Sequence, residues 1–133
     1  MTLSVFTAAR PVVAPGKEGV VYYPSMGLQV STDNGKTFTR MDSLAACLAV
    51  GLGKGKTDSD PYTIFVWGKP TNDDSIGLYW SEDEGKTWSK VSDDQHQFGG
   101  PGNGYFVVGD MNKYGRVYMS TVGLGVVYGD LVQ

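Results

Sequence analysis

The sequence predicts an all-β fold made of repeated four-stranded units. Two octets with the pattern Ser-x-Asp-x-Gly-x-Thr-aromatic lie fifty residues apart, at positions 31–38 and 81–88. A repeat of about fifty residues is typical of a solenoid, a propeller or an array. The segments around the octets are rich in Val, Tyr, Phe, Ile and Trp and are bounded by Gly, Pro, Asn and Asp, as strands and turns are. No segment has a sustained helical period.

The octets divide the chain into three units, whose strands we label A to D. The predicted A strands are 10–16, 46–53 and 105–111, and the predicted B strands are 19–23, 63–67 and 116–120. The predicted C strands are 27–30, 77–80 and 125–130, and the first two lead through an octet into a D strand. The sequence therefore predicts two full four-stranded units, at about 8–42 and 43–92, and three strands of another at about 104–131. Together they make one partial domain, residues 1–133.

The chemistry of the octet suits a tight hairpin turn. Each Asp precedes a Gly by two residues, so its carboxylate can accept backbone N–H bonds while the Gly supplies a positive φ. The final aromatic ring is expected to fold onto the core between neighbouring sheets. The predicted structural residues are Ser31, Asp33, Gly35, Thr37 and Phe38 in the first octet and Ser81, Asp83, Gly85, Thr87 and Trp88 in the second. A catalytic or metal-binding role for the two Asp residues is the alternative.

The octet pattern resembles the Asp-box, or BNR repeat, of β-propeller blades. The resemblance is specific because the pattern occurs twice in register, each time after a matching strand. Propellers typically have four to eight blades, and this sequence has fewer than three. This shortfall favours excision from a longer protein, and a naturally short or an engineered chain are the alternatives. In each case further blades are needed to close a ring.

Composition and charge limit the classes of function. A net charge of −3 gives no basic patch, so nucleic acid is not an expected partner. The N-terminus has no signal-peptide pattern and no apolar run is long enough to cross a bilayer, so no membrane partner is expected. Cys47 lies in an apolar strand and is interpreted as a small buried hydrophobe rather than a reactive thiol. Segment 54–60 lacks the ordered pattern of a calcium loop, and we expect neither a metal site nor a cofactor.

The last third of the chain resembles the end of glycoside hydrolase family 74 (GH74). The resemblance rests on segment 91–104, the tripeptide at 108–110, segment 114–118 and the closing run 123–130. It extends over the whole chain, as the C-terminal part of the second propeller of such an enzyme. Members of this family are secreted xyloglucan-cleaving enzymes with two seven-bladed propellers and the glucan chain in the cleft between them. The resemblance thus implies an extracellular enzyme of polysaccharide degradation, with a xyloglucan-like β-glucan as partner.

The same resemblance implies no catalytic residue in this chain. The family hydrolyses with inversion and uses two Asp residues, which in inverting enzymes stand roughly 6.5–9.5 Å apart as acid and base. One comes from the first propeller and the other from an early blade of the second, and neither region matches this sequence. The adjacent pairs Asp73-Asp74 and Asp93-Asp94 are poor substitutes, because neighbours on one loop seldom face a substrate from opposite sides. We expect the isolated chain to be inactive.

Two loops are longer than turn-making requires and are the predicted carbohydrate-binding surface. These loops, 68–76 and 92–104, belong to the B–C and D–A connections, on the face opposite the octets. Long loops on a rigid scaffold commonly carry function. The candidate substrate-binding residues offer aromatic platforms and amide or imidazole hydrogen bonds, and they are Trp67, His96, Gln97, Phe98 and Asn103. The alternative is that Trp67 belongs to the core between blades and that His96 braces its loop.

Three functions stay open on the sequence alone. The first is a fragment of a xyloglucan-active hydrolase that contributes scaffold and part of the substrate cleft. The second is a propeller carbohydrate-binding module assembled from several copies, and the third is a structural piece without a ligand. The third C strand would form an exposed edge, which invites pairing with another chain. We expect a homo-oligomer closed by strand exchange through the run 2–7, or dependence on the remainder of the propeller.

Overall fold

The computed structural model describes residues 11–25, 27–72, 75–91, 107–121 and 125–130. These residues contain no helix, and hence none that could span a membrane, and they form three antiparallel sheets. Sheet 1 contains β1 (Val12–Val13), β2 (Val21–Ser25), β3 (Gly27–Ser31) and β4 (Thr39–Met41). Sheet 2 contains β5 (Leu44–Gly53), β6 (Thr63–Pro70), β7 (Gly77–Ser81) and β8 (Ser89–Lys90), and sheet 3 contains β9 (Val107–Gly109), β10 (Arg116–Thr121) and β11 (Gly125–Asp130). The predicted all-β fold class is confirmed.

Each sheet is a meander, with its strands hydrogen-bonded in chain order. The register repeats with the sequence: Val30 pairs with Thr39 in sheet 1, and Trp80 pairs with Ser89, fifty positions on, in sheet 2. The octets therefore close the two hairpins in the same way. Because the side-chain period of a strand is two, this shared register places equivalent residues of the two sheets on equivalent faces.

Strand ends differ from the prediction in two places. Strand β6 continues to Pro70, which pairs with Leu44, so residues 68–70 belong to the sheet and not to the loop that was expected to start at Gly68. The extension is matched by the ten-residue β5, whose register shifts at two points against β6. The first A strand, by contrast, is only the pair Val12–Val13 within the described residues. It lies between Pro11 and Pro15, and proline has no N–H to give to a ladder.

Two apolar cores separate the three sheets. The first core lies between sheets 1 and 2, and its buried members are Ala14, Leu28, Leu44, Cys47, Val50, Leu52, Ile64, Val66 and Tyr79. The second core lies between sheets 2 and 3, and its buried members are Ala49, Phe65, Leu78, Val107, Val117 and Met119. Sheet 2 is covered on both faces, so successive side chains of its strand β6 point alternately into the first and the second core. Full burial of a side chain such as Phe65, which is 0% exposed, contributes about 1.5–3 kcal/mol relative to exposure.

The innermost strands β5 and β9 approach each other at glycines. A Cβ atom on Gly51 would lie 2.3 Å from the carbonyl oxygen of Val107, and one on Gly109 would lie 2.5 Å from the Cα of Gly53. Just beyond, the backbone N–H of Lys54 donates to the carbonyl of Asp110 at 3.0 Å. Sheets 2 and 3 therefore converge along their first strands, as the blades of a propeller do.

Cys47 is a buried member of the first core, as predicted. Burial raises the pKa of its thiol to about 12, and the hydrogen bond from Sγ to the carbonyl of Ala49 only partly opposes this. A thiol of this kind stays protonated at neutral pH and is a poor nucleophile.

Candidate carbohydrate-binding site

The first octet is held by hydrogen bonds to the side chains of Asp33 and Ser31. Oδ1 of Asp33 accepts from the Ser31 hydroxyl and from the Thr37 backbone N–H, both at 2.8 Å, and Oδ2 accepts from the Thr37 hydroxyl at 2.6 Å. The Ser31 hydroxyl oxygen in turn accepts from the Gly35 N–H at 2.8 Å. Asn34 and Gly35 both have positive φ, at 63° and 81°, which is why the turn favours Asn and Gly there.

The second octet repeats this network almost atom for atom. Asp83 accepts from the Ser81 hydroxyl at 2.7 Å, from the Thr87 N–H at 2.9 Å and from the Thr87 hydroxyl at 2.6 Å. Gly85 donates its N–H to Ser81 Oγ at 2.9 Å. Both serines are almost fully buried, at 1% for Ser31 and 2% for Ser81. Each carboxylate is thus bonded within its own turn.

These hydrogen bonds stabilise the ionised carboxylates. Donation from the Thr37 side chain and backbone, then from Ser31, lowers the pKa of Asp33 to about 2. For Asp83, partial desolvation alone would raise the pKa, but the hydrogen bonds from Thr87 and Ser81 outweigh it and lower the pKa to about 2. A carboxyl group with so low a pKa is a poor general acid at neutral pH.

The lowered pKa values predict a loss of stability in acid. The folded-state pKa of Asp33 and Asp83 is below the ordinary value of 3.8, so their contribution is full above about pH 4 and is lost as the pH falls toward 2. We expect the free energy of unfolding, measured in urea from pH 5 to pH 2, to fall less steeply for the double variant Asp33→Asn/Asp83→Asn. The exposed Asp58→Asn is the control. Equal slopes for all three proteins would contradict the account.

The aromatic residues that end the octets have different surroundings. Trp88 packs against the first core, as predicted, and its indole N–H donates to the hydroxyl of Ser43 at 2.8 Å. Phe38 is 41% exposed, and its ring meets Tyr23 at a centroid distance of 6.2 Å. The expectation that Phe38 folds onto a core between sheets is therefore wrong for this structure. Phe38 lies on the side of sheet 1 that no described sheet covers.

Ser43, which the sequence argument did not single out, joins three parts of the chain. Its hydroxyl accepts from Trp88 and donates to the carbonyl of Gly85 at 2.5 Å, while its own carbonyl accepts from the N–H of Thr71 at 3.1 Å. The turn between β4 and β5 thus contacts both the second octet and the β6–β7 loop. The sequence predicts that octets and B–C loops lie on opposite faces of the units. Ser43 contacts both, through its hydroxyl on one side and its backbone carbonyl on the other partner.

The predicted sugar-binding residues fall into two groups. Trp67 is half-buried in β6, where it pairs with Ala49 and Leu78 and packs against the second core. That position fits the alternative of an inter-sheet core residue. His96, Gln97, Phe98 and Asn103 lie outside the described residues, as does the run 2–7 that was expected to exchange between copies. Of the β6–β7 loop, Thr71, Asn72, Ser75 and Ile76 are described and all are exposed.

The 54–62 loop is held by its own side chains. The carboxylate of Asp60 accepts from the Thr57 backbone at 3.0 Å and from the Thr57 hydroxyl at 2.9 Å. Tyr62 donates its hydroxyl to the carbonyl of Pro15, which fastens the loop to sheet 1. In the part of the chain that the structure describes, no cluster of three or more His, Cys, Asp or Glu side chains is placed to hold a metal ion.

Solved structures share this arrangement of sheets. The crystal structure of the GH74 enzyme of Niastella koreensis matches 90% of this chain, with a TM-score of 0.82 and 42% identity. The GH74 xyloglucanase of Xanthomonas campestris matches 98% of the chain, with a TM-score of 0.81 and 30% identity. This chain resembles part of a GH74 enzyme.

Curated sequences similar to this GH74-like chain are xyloglucanases. A xyloglucanase of Acetivibrio thermocellus is 40% identical over 118 residues, which cover 87% of this chain. The oligoxyloglucan-reducing end-specific xyloglucanase of Emericella nidulans is 32% identical over 137 residues, which cover 97%. No family model matches. The chain spans only 14% and 16% of the lengths of these two relatives, and it therefore corresponds to a small part of such an enzyme.

Proposed function

We propose that this chain supplies propeller scaffold and part of the substrate-binding surface of an extracellular xyloglucan-active glycoside hydrolase, without the catalytic carboxylates. The observation that carries the proposal is the similarity to GH74 xyloglucanases along most of the chain, at 40% identity to one and a TM-score of 0.82 to another GH74 enzyme. The proposed substrate is a xyloglucan-like β-glucan. The proposed extracellular location follows from the same likeness.

The Asp residues of the octets are proposed to be structural Asp-box carboxylates. Each carboxylate accepts hydrogen bonds from the Ser and Thr hydroxyl groups of its own octet and has a pKa of about 2, so it stays ionised and able to accept them at neutral pH. A general acid needs a pKa near the working pH. Asp33 and Asp83 are therefore the wrong groups to donate a proton to a leaving sugar.

The proposed binding surface is formed by the β6–β7 loop and the 92–104 loop. The described loop residues are exposed and polar except Ile76, and Thr71 fastens the start of the loop to Ser43. Neutral sugars bind to such surfaces through hydrogen bonds and through stacking on aromatic rings, which suits Phe98 and the imidazole of His96. Trp67 is proposed to support this surface from the second core.

Titration of xylogluco-oligosaccharides tests the surface. We expect the wild-type chain to bind these oligosaccharides weakly. His96→Ala and Asn72→Ala should each raise the dissociation constant about 5-fold, which corresponds to the loss of one hydrogen bond. Trp67→Phe, which keeps an aromatic ring in the second core, should have a smaller effect. The control is Lys56→Ala in the 54–62 loop, which should bind as the wild type does. If only Lys56→Ala weakens binding, the sugar binds at the 54–62 loop and the proposed surface is wrong.

A second candidate function is an oligomerising carbohydrate-binding module. It is favoured by large apolar side chains that stand exposed on the two outermost sheets, such as Val13 at 65% and Tyr128 at 63%. Contiguous exposed apolar side chains commonly mark an interaction surface.

A further inference from the structure

The β6–β7 loop is an insertion relative to the first repeat. In sheet 1, Ser25 pairs with Gly27, so a single residue joins the two strands. In sheet 2, Gly68 pairs with Gly77, and residues 69–76 lie between them. The described residues of the loop lie outside the strands, so their order depends on contacts other than the strand ladder.

The start of the loop is tied to the turn between β4 and β5. The backbone N–H of Thr71 donates to the carbonyl of Ser43 at 3.1 Å. The hydroxyl of Ser43 accepts from the indole N–H of Trp88 and donates to the carbonyl of Gly85. The second octet therefore fixes the residue that holds the start of the loop.

The end of the loop is tied to a buried tyrosine. The hydroxyl of Tyr79 donates to the carbonyl of Ser75 at 3.0 Å. Lys90, the cross-strand neighbour of Tyr79, places its Nζ 3.4 Å from the hydroxyl oxygen of Ser75. Tyr79 is only 2% exposed, and its ring belongs to the first core. Because core side chains are held by close packing, the Tyr79 hydroxyl is a rigid anchor for the loop.

The repeat shows that this anchor accompanies the insertion. Tyr79 lies fifty positions after Gln29, which is half-buried in β3 beside the one-residue connection. In β7 the ring of Tyr79 fills part of the first core, and its hydroxyl extends beyond the ring to the loop. A phenylalanine would fill the same part of the core. The hydroxyl is therefore used for the loop and not for packing.

We propose that Tyr79 and Ser43 are positioning residues, which hold the β6–β7 loop in one conformation so that it presents Asn72 and Ile76 to a xyloglucan-like chain. The inference rests on the proposed function of this loop and adds residues that act on the glucan without touching it. Asn72 offers amide hydrogen bonds, and Ile76, at 51% exposure, offers an apolar surface to sugar C–H groups. A loop that is ordered before binding loses less conformational entropy when the ligand binds.

The order of the loop without sugar is the first measurement. In the wild type, NMR relaxation of the Ser75 and Ile76 amides should give order parameters near the rigid value of about 0.85. Tyr79→Phe, which keeps the ring in the first core, should lower them below about 0.6. The matched control is Tyr62→Phe, which also removes a hydroxyl bond to a backbone carbonyl, that of Pro15, but in the 54–62 loop. It should leave Ser75 and Ile76 ordered.

Titration of xylogluco-oligosaccharides is the second measurement. Tyr79→Phe and Ser43→Ala should each raise the dissociation constant about 5-fold, because each releases one end of the loop. Tyr62→Phe should bind as the wild type does, even where its melting temperature falls as far as that of Tyr79→Phe. This comparison separates positioning of the loop from a general loss of stability.

The two measurements have separate outcomes. The proposal is overturned if Ser75 and Ile76 are already flexible in the wild type, if Tyr79→Phe leaves them ordered, or if Tyr62→Phe loosens them equally. It is also overturned if Tyr79→Phe loosens the loop and the oligosaccharides bind as tightly as before. A wild-type chain that binds no oligosaccharide would contradict the proposed function and the glucan as the ligand of this loop. The relaxation data would still decide whether Tyr79 orders the loop.

Discussion

Gly51→Ala is expected to separate sheet 3 from sheet 2. The new methyl group would lie 2.3 Å from the carbonyl oxygen of Val107 and 2.8 Å from the Cα of Val108. Both are backbone atoms, so no side-chain rotation relieves the overlap and β9 has to move. We expect a destabilisation of about 3 kcal/mol, which for a chain of this size lowers the melting temperature by roughly 10 °C. Gly109→Ala, which inserts a methyl from the other side, should have a similar effect.

Gly129→Ala is the matched control, because a Cβ atom there meets nothing within 4 Å. Its effect should stay within about 0.5 kcal/mol. The readout is urea unfolding followed by tryptophan fluorescence, since Trp67 and Trp80 both flank the second core. If Gly51→Ala and Gly129→Ala unfold at the same urea concentration, β5 and β9 do not approach as closely as described.

Local features of this fold were predictable from the sequence. The octets fix their turns through bonds between residues at most four positions apart, such as Ser31 to Asp33 and Thr37 to Asp33. The alternation of apolar residues then determines which strands pair and which faces are buried. The three meanders follow from this short-range information, and the third unit has the three strands that were expected.

Features that depend on how one sheet lies on another were not predictable. Trp88 and Phe38 occupy the same place in the repeat, yet only Trp88 is covered, because sheet 1 lies beside it. Ser43 was missed because its partners Gly85 and Trp88 are more than forty residues away. The close approach of β5 and β9 at glycines was missed for the same reason, because the two strands are far apart in the sequence. The only signal in the sequence was the presence of Gly51, Gly53 and Gly109 in the first strands of two units.

The candidate sugar-binding site was predictable only in outline. Loop length pointed to the β6–β7 connection, but strand pairing shortens that loop by moving residues 68–70 into β6. Trp67 looked like a sugar platform from its residue type, and its burial against the second core follows from strand register. His96, Gln97, Phe98 and Asn103 remain predictions from residue type and loop length.

Reducing-sugar release from xyloglucan tests whether this chain, which we propose to supply scaffold and binding surface to a xyloglucan-active enzyme, lacks catalytic activity of its own. The wild-type chain and the variant Asp93→Asn/Asp94→Asn are incubated with xyloglucan under identical conditions. We expect the same negligible release from both, because Asp33 and Asp83 are held as ionised turn acceptors with a pKa of about 2 and the resemblance places the catalytic pair elsewhere. Robust turnover by the wild type that the double substitution abolishes would contradict the claim and place an active site in the 92–104 loop.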